Sequence, residues 1–417
     1  MRHGTADPVK GLPLSGVRVL DLTWVVSGPQ TTRLLADLGA EVVKMESRQH
    51  GDQVRRMTFN PHVWRARGMF IYFNRNKLGI SLNMATSEGR AIFGRLVSLS
   101  DVVIENFSAR VMERWGFDYA HLAAINPAII YVSMPGFGHS GPQQDYQSNG
   151  PTIQALAGQT FACGLPGLPP TGFGYSYMDH TAGYYGAMAA LQALYYRNRT
   201  GRGQFVDLAQ LETACSLMGT YILDYTANGR SSRRPGMPQG NRSAHPAGAP
   251  HGVYRCLGDD RWVVITVFTE EEWGRFREAI GAPAWTADPR FATLPDRLRN
   301  QDDLDGYVES WTAQRTQSEV MRLLQGAGVA AGMVQDPSQR ADEDPQLRAR
   351  GHIVDLEMAE AEGGRARVDG LPMAIASLPH ESYRPAPTVG EHNSRIYGDL
   401  LGMGDLDIED CFKREVF

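Results

Sequence analysis

The sequence predicts an α/β protein with a large domain built on a doubly wound parallel sheet and a smaller α+β domain. Short apolar stretches alternate with helical patterns over the first 135 residues, which is typical of a parallel sheet covered by helices on both faces. A polar segment rich in Gly, Pro, Ser and Arg occupies residues 228–250 and separates two patterned regions. The 417 residues exceed the length of one typical core.

The first elements form a β-α-β unit. Residues 16–22 and 41–45 are short apolar stretches with the pattern of buried strands, and residues 30–38 between them have a helical pattern. Further strands are predicted at residues 101–104 and 129–133. These strands are connected by helical segments, so we expect them to lie parallel in one sheet.

The turn after the first strand, residues 23–30, lacks the GxGxxG pattern. The sheet is therefore Rossmann-like without the sequence fingerprint of a nicotinamide or flavin dinucleotide site. A helix with clear amphipathic spacing is predicted at residues 87–98.

The second domain is predicted from a hairpin and three helices. Residues 252–256 and 261–267 read as antiparallel strands around a Gly-Asp-Asp turn. Thr269 and Glu272 form a capping box that opens a helix ending at residue 280. Its remaining predicted elements are two helices at 302–313 and 317–326 and a strand at 329–334.

Composition excludes several classes of function. The net charge is −5 and no basic block is present, so nucleic acid and membrane surfaces are not expected as partners. The four cysteines have no metal or redox spacing, and we expect no metal site. The first residues lack the apolar core of a signal peptide, which leads us to expect a cytoplasmic protein.

Asp179 is the candidate catalytic residue. It lies where a helix rich in small residues, predicted at 181–197, begins. Backbone N–H groups at a helix N-terminus favour negative charge, so we expect an ionised carboxylate that can act as a nucleophile. The alternative is that Asp179 only caps the helix.

An ordered set of motifs extends over nearly the whole chain. They are Leu12-Pro-Leu-Ser-Gly-Val-Arg-Val-Leu-Asp21, Leu38-Gly-Ala-Glu-Val-Val-Lys-Met-Glu46, Asn74-Arg-Asn-Lys77, Glu105-Asn-Phe107, Tyr175-Ser-Tyr-Met-Asp179, Thr200-Gly-Arg-Gly-Gln204, Asp288-Pro-Arg-Phe291 and Gly390-Glu-His-Asn393. With this set of motifs, the sequence resembles the class III CoA-transferase family, which includes the formyl-CoA and carnitine CoA-transferases.

The resemblance implies a domain plan and an assembly. Residues 1–225 would form the first part of a large CoA-binding domain, 226–250 a linker, and 251–340 the small domain. Residues 341–417 would then return to the large domain. Members of this family form interlocked, ring-like dimers, so we expect a homodimer or a heteromer with a related subunit.

The resemblance also implies the reaction. Asp179 would attack a donor thioester such as succinyl-CoA, giving an acyl-aspartyl anhydride and then an aspartyl-CoA thioester from which CoA passes to an acceptor acid. The CoA thioester is a substrate, and no permanently bound cofactor is expected. The 249–256 segment resembles the succinyl-CoA:benzylsuccinate transferase branch, which favours a substituted succinate as acceptor.

Binding residues follow from the same motifs. CoA carries phosphates, which Arg and Lys bind well. The expected CoA-binding residues are Trp24, Val25, Val26, Ser27, Asn74, Arg75, Lys77, Asn106, Phe107 and Arg114. Arg48, Arg55 and Arg56 are weaker candidates. For all of these cations, the alternative interpretation is that they are solvated charges on the protein surface.

Two departures from the family concern the acceptor. Formyl-CoA transferases have glutamine near the position of Val26 and a run of glycines where this chain has residues 242–248. Both changes favour a larger, partly apolar acid over oxalate or formate. The substrate and lid residues are expected to be Asn149, His180, His245 and Gly248.

Two other functions are compatible with this family. An α-methylacyl-CoA racemase needs a second proton-transfer residue, and the chain has Asn149 and Gly150 where racemases have His and Asp, which disfavours this activity. A non-catalytic scaffold subunit of a hetero-oligomeric transferase would not need Asp179, although such a residue could persist as a helix cap.

Overall fold

We describe a computed structural model of the chain for residues 11–55, 68–164, 167–235, 237, 240–358, 364–374 and 383–417. The chain divides into two compact units. The large unit comprises Met1–Gln159, Gly172–Thr220 and Gln346–Phe417, and the small unit comprises Thr160–Thr171 and Tyr221–Pro345. The boundaries between the two units fall after residues 220 and 345, whereas the sequence predicts domain boundaries after residues 225 and 340. The segment 226–250, expected to be a linker, lies within the small unit.

A parallel sheet of six strands forms the centre of the large unit. Its strands are β1 (Arg18–Asp21), β2 (Glu41–Glu46), β3 (Leu78–Ser81), β4 (Val102–Glu105), β5 (Ile130–Ser133) and β6 (Gln204–Asp207), in the order β3-β2-β1-β4-β5-β6. The predicted doubly wound α/β fold is confirmed. The strand order reverses between β1 and β4, and doubly wound sheets bind ligands at such a switch point.

The helices connect these strands and continue through the rest of the chain. They are α1 (Ser27–Asp37), α2 (Gly68–Asn74), α3 (Ser87–Ser98), α4 (Val111–Arg114), α5 (Tyr119–Ile125), α6 (Gly150–Leu156), α7 (Gln159–Ala162), α8 (Tyr177–Thr200), α9 (Gln210–Ser216), α10 (Gly219–Asn228), α11 (Glu270–Ala279), α12 (Leu294–Arg299), α13 (Gln301–Thr312), α14 (Gln317–Gly326), α15 (Pro345–Ala349) and α16 (Asp405–Lys413). Short 3₁₀ or π turns occupy Gln53–Arg55, Ala284–Ala287, Pro289–Phe291, Gln339–Glu343 and Ser394–Leu400.

Two apolar layers cover the sheet, one on each face. Along β1, Leu20 packs into one layer and Val19 into the other, because successive side chains of a strand point to opposite faces. Both residues are fully buried. This two-sided burial explains why the strands are continuous apolar runs in the sequence.

Helices α1 and α8 pack closely because α8 has small residues at the contact. A Cβ on Gly183 would lie 2.5 Å from Cγ of Gln30, and one on Gly186 would lie 2.5 Å from Oγ1 of Thr31. The hydroxyl of Thr31 also donates to the carbonyl of Gly183 at 3.0 Å. Helix α8 ends at Thr200, and the next residue, Gly201, adopts the left-handed conformation with φ +72° and turns the chain toward β6.

The C-terminal segment packs on the edge strand β3. The backbone N–H of Gly79 donates to Nδ1 of His392, and the N–H of Ser81 donates to Oδ1 of Asn393. Tyr397 is fully buried, and its hydroxyl donates to the carbonyl of Ser81. The Gly390-Glu-His-Asn393 motif therefore satisfies the backbone of an edge strand. A separate antiparallel pair, β10 (Ile353–Glu357) and β11 (Arg365–Asp369), precedes it.

The small unit contains a three-stranded antiparallel sheet in the order β7-β8-β9. Its strands are β7 (His251–Arg255), β8 (Trp262–Thr266) and β9 (Ala330–Met333). The predicted capping box at α11 is present, since Thr269 accepts from the N–H of Glu272 and the Glu272 carboxylate accepts from the N–H of Thr269. The core of this unit includes Trp273, Phe276 and Phe291. In the described part of the chain, no helix is both long and apolar enough to cross a bilayer.

Candidate active site

Asp179 lies in the first turn of α8, three residues after the N-cap Ser176. Helix α8 begins four residues earlier than predicted, so Asp179 is inside the helix rather than at its cap. Because α8 leads into β6, its N-terminus lies at the carboxyl edge of the sheet. Parallel α/β sheets bind ligands at this edge.

Gln210 holds the carboxylate of Asp179. Its side-chain amide donates a hydrogen bond to Oδ1 of Asp179. Gln210 is buried and is the first residue of α9, directly after β6, and its own N–H donates to the carbonyl of Pro135. The loops after β5 and β6 thus fix one face of the nucleophile. Gln210 is not among the site residues predicted from the sequence.

Gly150 lies against the other carboxylate oxygen. A Cβ on Gly150 would come within 2.7 Å of Oδ2 of Asp179 and 3.1 Å of Cβ of Ser176, so a glycine is required for this approach. Gly150 is the first residue of α6, and Asn149 caps that helix by accepting from the N–H of Thr152 at 3.1 Å. Asn149, predicted as a substrate or lid residue, therefore positions the helix start beside the nucleophile.

Opposing effects set the charge of Asp179. Burial raises the pKa of the carboxyl above its ordinary value, and hydrogen bonds from Gln210 and Ser176 act to lower it. The helix N-terminus also favours the carboxylate. The net upward direction differs from the expectation that the helix start alone governs the charge, because that expectation omits the desolvation of a half-buried group.

His180 contacts aromatic side chains rather than the carboxylate. Its Nε2 lies 2.5 Å from the hydroxyl of Tyr175, and the two rings are stacked at 4.9 Å. Phe73 packs on it at 5.4 Å. Burial lowers the pKa of His180, and the positive charge of Arg33 lowers it further. The imidazole of His180, the residue that follows Asp179 in the sequence, is therefore favoured in its neutral form.

The loops after β1 and β4 form one side of the switch point. Asn106 accepts from the N–H of Trp24 through Oδ1 and donates to the carbonyl of Trp24 through Nδ2, both at 2.8 Å. Its Nδ2 also donates to the hydroxyl of Ser27 at 3.2 Å. The rings of Trp24 and Phe107 meet edge to face at 5.7 Å, and Phe107 meets Trp115 at 5.5 Å. The structure thus brings these predicted residues together.

Val25 and Val26 complete this loop. Val25 has φ +70°, which is unfavourable for a β-branched residue, and its N–H donates to Oδ1 of Asp52 at 3.1 Å. Strained backbone of this kind is often found at ligand sites. Val26 is buried at the start of α1, so its side chain packs in the interior.

Asn74, Arg75 and Lys77 were predicted to bind CoA, but the structure places them in the interior. The Lys77 ammonium lies 2.9 Å from Oδ2 of Asp21, and it donates to the carbonyl of Pro29 and to Oδ1 of Asn74. These three bonds use all three of its donors. Arg75 pairs with Asp37 at 2.8 Å and donates to the carbonyl of Asp369.

The physical reason is charge compensation inside the fold. Burial lowers the pKa of Lys77 to about 8 despite the attraction of Asp21. Burial acts to raise the pKa of Asp21, but the charges of Lys77 and Lys44 hold it below its usual value. These cations neutralise buried carboxylates of β1 and α1, and removing one of them would leave an unpaired charge in the interior.

The remaining predicted cations lie in different surroundings where the structure describes them. Arg114 is exposed at the end of α4, next to Trp115. Arg48 is exposed with its guanidinium 4.4 Å from the ring of Phe412. Arg55 is paired with Glu46 at 2.6 Å. Arg56 lies outside the described residues.

Two of the predicted substrate and lid residues, His245 and Gly248, belong to the small unit. His245 is exposed. Gly248 is buried, and a Cβ there would lie 2.9 Å from the ring of Phe268 and from the carbonyl of Val267. Gly248 therefore allows close packing within its own unit. Within the described ranges, no group of three or more His, Cys, Asp or Glu side chains is placed to hold a metal ion.

Comparison with known proteins places the chain in a family. The sequence profile of CoA-transferase family III matches residues 14–393. The chain belongs to CoA-transferase family III. It is accordingly a CoA-transferase by descent, as the resemblance of its motifs predicts.

Individual relatives agree with this assignment. The succinyl-CoA–D-citramalate CoA-transferase of Chloroflexus aurantiacus is 33% identical over 397 residues, covering 95% of this chain and 96% of that protein. A protein of Mycobacterium tuberculosis named as a probable CoA-transferase is 35% identical over 408 residues, covering 95% of this chain. The chain spans only 49% of the length of that second protein.

The fold has a close match among solved structures. A CaiB/BaiF family protein from Brucella suis superimposes with a TM-score of 0.83 at 31% identity, covering 94% of this chain and all of that one. The fold of this chain is therefore similar to that of a solved CaiB/BaiF family protein.

Proposed function

We propose that this CoA-transferase moves CoA from an acyl-CoA donor to a carboxylic acid, with Asp179 as the nucleophile. The observation that supports this most is the geometry of Asp179: its Oδ1 accepts from the Gln210 amide, and its Oδ2 occupies space that a side chain at Gly150 would fill. A held but half-buried carboxylate at the carboxyl edge of the sheet suits attack on a thioester carbonyl.

The reaction follows four balanced substitutions. A carboxylate oxygen of Asp179 forms a bond to the thioester carbon, the C–S bond breaks, and CoA thiolate leaves. The thiolate then attacks the aspartyl carbonyl of the mixed anhydride, which releases the donor acid and leaves an aspartyl-CoA thioester. The acceptor carboxylate displaces the thiolate to form a second anhydride. The thiolate finally attacks the acceptor acyl carbon and frees Asp179.

Each substitution places negative charge on a carbonyl oxygen, which needs hydrogen-bond donors fixed in advance. Gln210 is suited to this role because its amide already contacts Oδ1 of Asp179. In the two steps at the aspartyl carbon, the developing oxyanion is one of the aspartyl oxygens themselves. The same amide would therefore stabilise the transition state more strongly than the ground state.

Succinyl-CoA is the proposed donor, and a substituted succinate is the proposed acceptor. The relative from Chloroflexus aurantiacus is named for succinyl-CoA and D-citramalate, a substituted succinate. In this chain, Phe173, Tyr175 and Tyr177 precede Asp179 and expose 51%, 59% and 48% of their surface. Aromatic side chains beside the nucleophile favour an acceptor with an apolar substituent over oxalate or formate.

We further propose that the chain works as a dimer, either of identical copies or with a related subunit. Along α8, Tyr184, Met188 and Leu191 are exposed and line an apolar groove of about 480 Å³. Apolar surface of this kind usually marks an interface. Light scattering of the purified chain, alone and with a co-expressed homologue, measures the assembly.

A transfer assay tests the proposed reaction. The purified chain is incubated with succinyl-CoA and a panel of acids, namely benzylsuccinate, citramalate, glutarate, oxalate and formate, and new acyl-CoA products are identified by mass spectrometry. We expect transfer to the substituted succinates to exceed transfer to oxalate and formate. Loss of chirality at an α-methylacyl-CoA without transfer would favour the racemase, and an inert chain that activates a partner would favour the scaffold.

A further inference from the structure

Glu105 is a buried carboxyl that the proposed reaction does not use. It is the last residue of β4 and exposes 2% of its surface. Its Oε1 accepts from the hydroxyl of Tyr131 on the neighbouring strand at 2.8 Å, and its Oε2 accepts from the backbone N–H of Phe107 at 2.7 Å. Both carboxyl oxygens are therefore engaged.

These bonds fix the backbone on both sides of Asn106. Glu105 precedes Asn106 in the chain and holds the N–H of the following residue, Phe107. Asn106 in turn bonds the N–H and the carbonyl of Trp24. The hydrogen bond between Glu105 and the N–H of Phe107 closes a turn around Asn106. This turn sets the direction of the Asn106 amide, which in turn holds the loop that leads into α1.

A cavity of about 150 Å³ lies beside Glu105, and its lining includes Tyr131, His139, Phe205 and Arg110. The hydroxyl of Ser133 lies 2.6 Å from Nε2 of His139, and the N–H of His139 donates to Asp207. The other titratable groups that face the cavity are Glu113, Asp118 and Tyr119.

The cavity environment sets the charge of Glu105. Burial raises the pKa of Glu105 to about 7, against hydrogen bonds from Ser133 and Tyr131, and the charge of Asp207 acts in the same direction as burial. The pKa of Tyr131 is raised by burial and by Glu105, whereas the pKa of Asp118 is lowered by its bonds to His121. Tyr131 and Asp118 therefore keep one charge state near neutrality, and Glu105 changes its own.

We propose that Glu105 is a positioning residue for CoA binding: its ionised carboxylate holds the Phe107 N–H, orients the Asn106 amide that clamps the Trp24 loop, and so sets the affinity for CoA. An ionised acceptor forms a stronger hydrogen bond than a neutral one. The Trp24 loop is therefore held more firmly through Phe107 and Asn106 above the pH at which Glu105 loses its proton. This inference rests on the proposed function in taking CoA as the substrate, and on the expectation that the loops after β1 and β4 bind it.

The test compares CoA binding by isothermal titration calorimetry for the wild type and Glu105→Gln at pH 6 and pH 8. The glutamine keeps the shape but cannot ionise. We expect its Kd for CoA to be about 10-fold higher than that of the wild type at pH 8, which corresponds to about 1.4 kcal/mol, and to approach the wild-type value at pH 6. The ratio of the variant Kd to the wild-type Kd at each pH removes the effect of CoA phosphate ionisation, because that effect is the same for both proteins.

Two further variants make the test specific. Glu113→Gln removes an exposed carboxylate from the rim of the same cavity, and its Kd for CoA should equal that of the wild type at both pH values. Tyr131→Phe keeps the ring that stacks on Phe205 but removes a hydrogen bond that lowers the pKa of Glu105. In that variant, the pH at which CoA affinity changes should move upward, which tests the inference even if Glu105→Gln does not fold.

The outcomes separate this inference from the proposed function. With succinyl-CoA as donor, Glu105→Gln should raise KM at pH 8 and change kcat by less than about two-fold, since the residue acts through binding. Equal Kd ratios at pH 6 and pH 8, or a fall in kcat with unchanged KM, would overturn the inference alone. Failure of the wild type to bind CoA would overturn the proposed function.

Discussion

Gly150 approaches Asp179 so closely that a methyl group on its Cα would come within 2.7 Å of Oδ2. The start of α6 and the first turn of α8 are thereby packed against each other at the carboxyl edge of the sheet. This contact, together with the amide of Gln210, determines which direction the carboxylate can face.

Gly150→Ala should therefore reduce activity strongly. The added methyl must displace the Asp179 carboxylate, and a displacement of about 1 Å at a reacting group can cost about 100-fold in rate. We expect kcat/KM with succinyl-CoA to fall by about that factor. Gly219→Ala is the matched control, since Gly219 also begins a helix and has no atom within 4 Å of the added methyl. Equal activity of the two variants would contradict the contact.

Gln210→Leu should shift the acid limb of the pH profile of kcat/KM. The Gln210 hydrogen bond lowers the pKa of Asp179, so its loss raises that pKa further and the active carboxylate forms only at higher pH. We expect the limb to move to higher pH and kcat to fall. Gln154→Leu, which removes another buried amide whose Nε2 has no partner among the described residues, should leave the limb in place.

A pH profile of Gln210→Leu that superimposes on the wild-type profile would show that this amide does not affect the nucleophile. Circular dichroism melting of both variants checks that the fold persists.

Lys77→Met should mainly destabilise the fold. The change leaves the buried carboxylate of Asp21 without its 2.9 Å partner, and breaking a buried ion pair costs about 3–5 kcal/mol. The free energy of unfolding in urea measures the loss. Adding Asp21→Asn should recover much of it, because the uncompensated charge is removed.

Arg114→Ala should show the opposite behaviour. Arg114 is exposed, so the free energy of unfolding should stay within about 0.5 kcal/mol of the wild-type value. If Arg114 binds a CoA phosphate, the KM for succinyl-CoA should rise about 10-fold, and the increase should shrink at high salt. A destabilised Arg114→Ala would show that Arg114 supports the fold. A Lys77→Met of normal stability with a raised KM would show that Lys77 binds the substrate.

The sequence predicted much of the sheet because buried parallel strands are apolar runs. Strands β1, β2, β4 and β5 lie within two residues of their predicted positions, and α3 has the predicted bounds. Strands β3 and β6 were missed. Strand β3 contains Gly79, which weakens the strand pattern, and β6 alternates between half-buried and exposed side chains, so neither is a continuous apolar run.

Part of the site could not be predicted from the sequence, because strand β6 was missed. Gln210 follows β6 directly, so missing that strand concealed the residue that holds Asp179. The charges of Arg75 and Lys77 look alike in sequence whether they face a phosphate or a buried carboxylate. Their partners Asp37 and Asp21 lie 38 and 56 residues away in the chain, and only the packing of α1 against the sheet identifies them.

Trapping the acyl-enzyme tests the central claim most directly. The purified chain is mixed with succinyl-CoA, treated with hydroxylamine and digested, and the peptides are sequenced by mass spectrometry. The account predicts a hydroxamate on Asp179, formed only when succinyl-CoA is present and missing from Asp179→Asn, whose melting temperature should stay close to that of the wild type. A hydroxamate on a different residue, or continued CoA transfer by Asp179→Asn, would contradict it.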